Sequence, residues 1–209
     1  MWQLSAAVLF ASYTLGSIPW GLIVARMRGI DIRQHGSGNI GATNVLRIVG
    51  KPWGISVFVL DALKGLAAVR LAMWMAQRSA GSHEYIEFFA ILAAAACVVG
   101  HSFPIWLGFK GGKGVATSAG ALLGVVPIAA VTIFIIWLVV FRTTRYVSLA
   151  SILAALALPV TVAVLVWLQL TKGFVLLYFT TAMTALVVWR HRSNISRILS
   201  GTEPRFTRK

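Results

Sequence analysis

Long apolar segments separated by short polar or basic stretches run through the whole chain. A helix needs roughly 20 apolar residues to cross ~30 Å of hydrocarbon, and lipid requires every backbone hydrogen bond to be made internally. The pattern therefore predicts an all-α integral membrane fold. Apolar spans are expected at about Leu4–Val24, Trp53–Met75, Ile86–Val99, Ser148–Leu168 and Phe174–Trp189, with a further apolar stretch from Val115 to Phe141.

The stretch from Val115 to Phe141 is interpreted from charge and from one proline. Pro127 breaks a helix because it lacks a backbone donor and restricts the residue before it. Dividing the stretch near Pro127 leaves only Arg78 and Lys172 in outer loops, as the positive-inside rule prefers. We therefore expect seven transmembrane helices, two of them short, with the N-terminus outside and the C-terminus cytoplasmic.

Composition narrows the class of protein further. The 209 residues are 58% hydrophobic and carry a net charge of +14, from 19 Lys and Arg against five acidic residues. On a soluble chain this charge would indicate nucleic acid, but here the basic residues lie between apolar spans and face anionic membrane lipids. Cys97 is the only cysteine, so no thiolate metal cluster is expected. Residues 1–209 are predicted to be one domain with no metal, cofactor, nucleic acid or obligate protein partner.

A loop between the first two spans is rich in groups that bind phosphate. It reads Gly36-Ser-Gly-Asn-Ile-Gly-Ala-Thr-Asn-Val-Leu-Arg47. Its spacing superficially matches a dinucleotide fingerprint, but no strand precedes the glycines, so that fold is rejected. Arg47 offers a bidentate fork, and small polar side chains offer further donors. The alternative is a turn that is merely rich in Gly and Asn. The candidate residues are Ser37, Gly38, Asn39, Thr43, Asn44 and Arg47.

A second loop, Lys110-Gly-Gly-Lys-Gly114, lies between two apolar segments. Its glycines let backbone N–H groups converge, and its two lysines add positive charge beside a helix start. We interpret it as an anion site, against the alternative that its lysines only orient the protein in the membrane. The candidates are Lys110, Gly111, Gly112, Lys113 and Gly114, with His101 at the entrance to the loop.

Several further polar residues lie in or beside the spans. Asp61 and Lys64 share one helix face and should pair, as a structural ion pair or as lining of the site. His191, Asn194 and Arg197 share a face if the last helix continues, whereas Arg205, Arg208 and Lys209 suit a frayed tail on lipid headgroups. Ser151 either donates into the site or caps a helix.

The sequence resembles the bacterial membrane acyl-phosphate:glycerol-3-phosphate acyltransferases. The two loops and the block His191-Arg-Ser-Asn-Ile-Ser-Arg197 with Gly201 and Glu203 carry the resemblance. It implies transfer of a fatty acyl group from acyl phosphate to the 1-hydroxyl of glycerol 3-phosphate, at a site facing the cytoplasm from the bacterial inner membrane. Ser37, Arg47, Lys113 and Ser151 would be catalytic, and His191 and Asn194 would hold glycerol phosphate.

A transporter of small organic phosphates is the competing interpretation, because broken helices with glycine-rich ends also occur in transporters. The lack of an internal repeat argues against it, as does the placement of every phosphate-friendly loop on one side. No acyltransferase histidine–aspartate signature, serine elbow or carboxylate pair is present in the sequence. Any reaction must therefore rely on cations, amides and an already activated substrate.

Overall fold

The computed structural model describes residues 1–79, 83–171 and 173–206, and these residues form helices, turns and loops without a strand. Its contacts divide the chain into two compact units, Met1–Val125 and Val126–Lys209. The single domain expected over residues 1–209 stays a prediction. Lys172, Arg208 and Lys209, to which the sequence assigned loop or tail positions, lie outside the described residues, as do residues 80–82 of the expected outer loop.

The first unit is built around one long helix. Its α-helices are α1 (Trp2–Gly16), α2 (Trp20–Arg26), α3 (Ala42–Ile48), α4 (Lys51–Arg78), α5 (His83–Ser102) and α6 (Val115–Val125). Helix α4 packs against each of the other five. Short 3₁₀ turns at Ile32–Gln34 and Ile105–Leu107 complete the unit.

Small residues let α4 and α6 approach closely. A Cβ added to Gly65 would overlap the backbone of Thr117, and one added to Gly120 would overlap the backbone of Ala62. Such contacts are typical of helices packed in membranes, where small residues allow the backbones to touch. This packing fixes the start of α6, and with it the end of the lysine loop.

The first apolar span, expected as one helix over Leu4–Val24 that could bend or pack closely between Gly16 and Gly21, is two helices with a break in that segment. Helix α1 ends at Gly16, and α2 begins after Pro19, which has no N–H to continue the ladder. Within the break, the N–H of Ser17 bonds to the carbonyl of Tyr13. The chain thus bends inside its first span.

A hydrophobic cluster supports both candidate loops of the first unit. Ile40 and Val45, in and just after the first loop, are buried in it, and Leu107, shortly before Lys110, packs against it. The same hydrophobic cluster therefore supports two polar loops that are far apart in the sequence. The other buried members are Leu22, Val24, Ala25, Ile32 and Val57.

The second unit contains α7 (Pro127–Thr144), α8 (Val147–Trp167), α9 (Phe174–Arg190) and α10 (Arg192–Leu199). Helix α8 packs against both α7 and α9. Pro127 occupies the first turn of α7, where its missing donor costs nothing, and α6 ends at Val125. The break expected near Pro127 is therefore present.

Four helices of the described residues are long and apolar enough to cross a membrane, and a fifth span is obtained if the bent pair α9–α10 is counted as one. The four are Trp2–Arg26 (α1 and α2 together), His83–Leu107, Pro127–Thr144 and Val147–Trp167. Helix α6 is a shorter apolar helix, and α4 is not among the four. Large apolar side chains on α7, such as Phe134 and Val139, are exposed, as a lipid-facing helix requires.

Three local expectations are corrected. The first polar loop contains a helix, α3, because Ala42, Val45 and Val49 at its C-cap place apolar side chains on one face, against the apolar cluster. Glu84 and Glu87, which the sequence places with Arg78 in the outer loop between the second and third spans, belong to α5. The last helix does not continue straight, since α9 and α10 meet at an angle of 57° at His191.

Candidate active site

Asn44 organises the first loop. Its side-chain oxygen accepts from the N–H of Ser37 at 3.1 Å, and its Nδ2 donates to the carbonyls of Ile32, His35 and Asn39. The side chain is 3% exposed, so these bonds are made away from water. Its polar atoms therefore fix the shape of the loop, and its expected contact with substrate stays a prediction.

The remaining candidates of this loop lie on its outer side. Ser37 and Gly38 are exposed, Thr43 is half-buried on α3, and Arg47 is exposed in the last turn of that helix. Asn39 accepts from the N–H of Gly41 at 2.8 Å, which closes the turn before α3. The loop therefore presents a hydroxyl and a guanidinium to solvent on a rigid base.

The lysine loop is hydrogen-bonded to the end of α5. The N–H of Gly111 donates to the carbonyl of Ser102 and that of Gly112 to the carbonyl of His101, each at 3.1 Å. The acceptor carbonyls belong to the last two residues of α5, so these amides tie the loop to that helix. Their expected role in binding an anion stays a prediction. Lys113 is half-buried and Lys110 exposed.

Glycine is required at position 112 by contact with a histidine. A Cβ there would overlap the imidazole of His101, which is 5% exposed. Gly114 follows with φ +80°, a conformation that glycine adopts at little cost, and α6 begins at Val115. His101 thus lies beneath the loop, and its predicted contact with substrate stays a prediction.

An ion pair lies inside the first unit. Lys64 Nζ is 2.8 Å from Asp61 Oδ1, and both side chains are almost fully buried. The same Asp61 oxygen is 3.5 Å from His101 Nδ1, and Lys64 Nζ also donates to the carbonyl of Ile18 at 2.8 Å. The expected pairing of Asp61 with Lys64 is confirmed.

Glu203 organises the polar centre of the second unit; the sequence named it only among the residues that carry the resemblance and gave it no role at the site. Its carboxylate accepts from Ser148 Oγ at 2.6 Å, Asn194 Nδ2 at 2.6 Å and Arg197 Nε at 2.7 Å. Burial by itself would raise the pKa of Glu203, but these hydrogen bonds and the charge of Arg197 lower it below its ordinary value. One signal was available, because acidic residues are rare in this chain.

The predicted trio of the last block is divided by the helix bend. His191 lies at the bend, and its Nδ1 is 2.7 Å from the carbonyl of Val187, so Nδ1 carries the proton of this contact. Asn194 and Arg197 both lie on α10 and both hold Glu203. Asn194 and His191 are almost fully buried.

Ser151 is engaged within the second unit. Its hydroxyl donates to the carbonyl of Val147 at 2.8 Å and accepts from Trp137 Nε1 at 3.1 Å. A hydroxyl bonded in this way fixes the packing of α7 on α8. The expected donation into the site or capping of a helix by Ser151 stays a prediction.

The tail after α10 packs back onto the corner between α7 and α8. Arg205 Nε donates to the hydroxyl of Tyr146 at 2.7 Å, and the N–H of Phe206 donates to the carbonyl of Arg145 at 3.0 Å. The expectation of a frayed tail at Arg205 is wrong, since aromatic and carbonyl partners hold this segment.

Among the described residues, no group of three His, Cys, Asp or Glu side chains could hold a metal ion.

The helices and loops define the class of protein first: a helical membrane protein whose polar loops carry Ser37, Arg47 and Lys113. A family model described as glycerol-3-phosphate acyltransferase matches residues 6–201. A glycerol-3-phosphate acyltransferase from Thermosynechococcus vestitus is 47% identical over 93% of this chain and 91% of its own length. The corresponding protein from Aquifex aeolicus is 44% identical over 95% and 97%.

Two crystal structures are similar throughout. Both are of PlsY (YgiH), described as an integral membrane glycerol 3-phosphate acyltransferase. The glycerol 3-phosphate form is 39% identical, with a TM-score of 0.84 over 97% of this chain and 96% of that one. The lysophosphatidic acid form is 38% identical, with a TM-score of 0.82 over 97% and 95%. The chain belongs to the glycerol-3-phosphate acyltransferase family, and it is a membrane protein.

Proposed function

We propose that the protein transfers a fatty acyl group from acyl phosphate to the 1-hydroxyl of glycerol 3-phosphate. The hydroxyl oxygen attacks the acyl carbon, the bond from that carbon to the phosphate oxygen breaks, and lysophosphatidic acid and inorganic phosphate result. This would be the first step of phospholipid biosynthesis. Family membership carries the proposal, and the solved relatives described in glycerol 3-phosphate and lysophosphatidic acid forms support both acceptor and product.

The cationic loops of the first unit are proposed to bind phosphate. Ser37, Thr43 and Arg47 lie on the rigid first loop, and Lys113 lies on the lysine loop above His101. Cations held on a preformed backbone stabilise developing negative charge without reorganising during the reaction. In the second unit, His191 and Asn194 are proposed to hold glycerol phosphate.

The donor is proposed to be acyl phosphate, as the family resemblance implies, and two candidate proton-transfer groups of the described residues are already engaged. Ser151 already donates to a carbonyl, and Glu203 already accepts three hydrogen bonds. An acyl phosphate is a mixed anhydride, so positioning and charge stabilisation can supply most of the rate enhancement. A phosphate oxygen of the substrate would take the hydroxyl proton.

The seven spans are proposed to be α1 with α2, then α4, α5, α6, α7, α8 and α9. Lys and Arg distribution supports an outer N-terminus, a cytoplasmic C-terminus and a site facing the cytoplasm of the inner membrane. Helix α3 with the first loop, the lysine loop and α10 then lie at the cytoplasmic side.

The proposal predicts a loss of turnover on removal of either phosphate-binding cation. Purified protein in proteoliposomes receives acyl phosphate and glycerol 3-phosphate, and phosphate release and lysophosphatidic acid are measured. Lys113→Ala and Arg47→Ala should each lower kcat/KM by about 100-fold or more, because charge-assisted contacts to phosphate are lost.

Lys51→Ala is the matched control, since Lys51 is an exposed cation at the start of α4. It should retain wild-type turnover. Retention of most activity by Lys113→Ala or Arg47→Ala would refute the assigned roles. Uptake of glycerol 3-phosphate into the vesicles without phosphate release would favour a transporter.

A further inference from the structure

The buried ion pair of the first unit contacts residues that support both candidate loops, the first loop and the lysine loop. Asp61 and Lys64 lie three residues apart on α4, and their side chains are 3% and 2% exposed. Burying two charges is costly, and a pair of well-packed apolar residues would often be as stable. The contacts that leave each end of the pair therefore indicate what it does.

From Asp61, the contacts lead to the lysine loop. Asp61 Oδ1 lies 3.5 Å from His101 Nδ1, and the backbone carbonyl of His101 accepts from the N–H of Gly112. The imidazole itself fills the space that a side chain at position 112 would need. A change in the orientation of His101 would therefore move Gly112, which directly precedes Lys113.

From Lys64, the contacts lead to the first loop. Lys64 Nζ donates to the carbonyl of Ile18, inside the break between α1 and α2. Helix α2 begins two residues later, and its Gly21 touches the backbone of Ile40 so closely that a Cβ would overlap it. Ile40 lies in the first loop, between Asn39 and Gly41.

We propose that the Asp61–Lys64 pair is a positioning device that couples the two loops of the first unit. Asp61 orients His101 under the lysine loop, and Lys64 anchors the α1–α2 break that supports the first loop. Because both charges sit on one turn of α4, the two loops are held in a fixed relation to the same helix. For its catalytic consequence, this inference rests on the proposed function; its structural part does not.

A double variant separates positioning from folding. Asp61→Asn with Lys64→Met removes both charges and keeps similar volumes, so no buried charge is left uncompensated. Its melting temperature in detergent should stay near the wild-type value, whereas either single variant should melt lower. Amide hydrogen exchange should nevertheless become about tenfold faster at Gly111, Gly112 and the segment around Ile40, with the core of α4 still protected.

His101→Gln tests the direction of the coupling and does not require the double variant to fold. It should speed hydrogen exchange at Gly111 and Gly112 and leave exchange in the Ile40 segment unchanged. The reason is that only the contact of Asp61 with His101 is removed, while the bond of Lys64 to Ile18 remains. Arg70→Met is the matched control, since Arg70 is an exposed cation on the same helix. Wild-type exchange at both loops in the double variant, or equal effects of His101→Gln on both loops, would overturn the proposal.

Activity gives the second readout. The double variant should lose at least about tenfold in kcat/KM in the phosphate-release assay while its melting temperature is retained. Full activity in the double variant would reduce the pair to a structural one and refute the inference. A wild-type protein without phosphate release would refute the proposed function instead, and the exchange result would still decide the coupling.

Discussion

Each unit of the molecule buries one carboxylate, and the two are held in different ways. Asp61 pairs with Lys64 of its own helix. Asp61 also lies close to His101, and Lys64 also donates to the backbone carbonyl of Ile18. Glu203 lies in the segment after the last helix and accepts hydrogen bonds from side chains of α8 and α10. The first arrangement supports loops from within a helix, whereas the second fastens a tail to two helices.

The sharpest test of this difference is truncation of the tail carboxylate. Glu203→Ala leaves Ser148, Asn194 and Arg197 without their acceptor, and lost hydrogen bonds to a charged group should cost about 2–4 kcal/mol in total. Hydrogen exchange should rise in α10 and at the start of α8, and remain unchanged at Gly111 and Gly112. Glu84→Ala, at an exposed position on α5, should have no such effect.

Faster hydrogen exchange at Gly111 and Gly112 in Glu203→Ala would contradict the separate roles assigned to Asp61 and Glu203. His191 lies beside α10, so the apparent affinity for glycerol 3-phosphate should also fall in this variant. A variant with normal exchange in α10 and wild-type kinetics would show that the carboxylate is dispensable.

Acid should reproduce a weaker form of the same effect. Because hydrogen bonds lower the pKa of Glu203 in the folded state, its contribution to stability is complete above the ordinary value of 4.5 and is lost as the pH falls through the lower folded pKa. Exchange in α10 should therefore accelerate in acid. The measurement is peptide exchange from pH 6 downward, corrected for intrinsic rates, in roughly half-unit steps.

Glu203→Gln supplies the control for the acid experiment. The amide cannot titrate, so exchange in α10 should be raised at neutral pH and should lose the additional acceleration that Glu203 causes. The same acid dependence in this variant and in wild type would assign the effect to another group.

Much of the fold was predictable because lipid leaves few choices. Apolar length located the long helices, and Pro127 located the break between α6 and α7. The positions of α1 and α2 were harder to predict, since Pro19 interrupts a segment that is apolar on both sides. Helix α3 was missed because its polar residues Thr43, Asn44 and Arg47 concealed a short apolar face.

The sequence selected residue types for the candidate site, but the contacts around them were not predictable from it. Arg47 and Lys113 follow from the chemistry of phosphate binding, and the pairing of Asp61 with Lys64 follows from helix spacing. Local spacing says nothing of the contact between Ser148 and Glu203, which are 55 residues apart. The loop amides show the same limit, because Gly111 and Gly112 obtain carbonyl partners from residues 101 and 102.

The break at Ile18 has a consequence for how the protein is made. In the proposed topology α4 enters the bilayer with Asp61 and Lys64, and each charge near the membrane centre costs roughly 2.5–3.5 kcal/mol on insertion scales. The acceptor carbonyl of Ile18 belongs to an earlier span, so it is in place when Lys64 arrives. We expect α4 to integrate poorly as an isolated segment and efficiently behind α1 and α2. Glycosylation mapping of both fusions measures this, and equal integration would show that α4 needs no earlier partner.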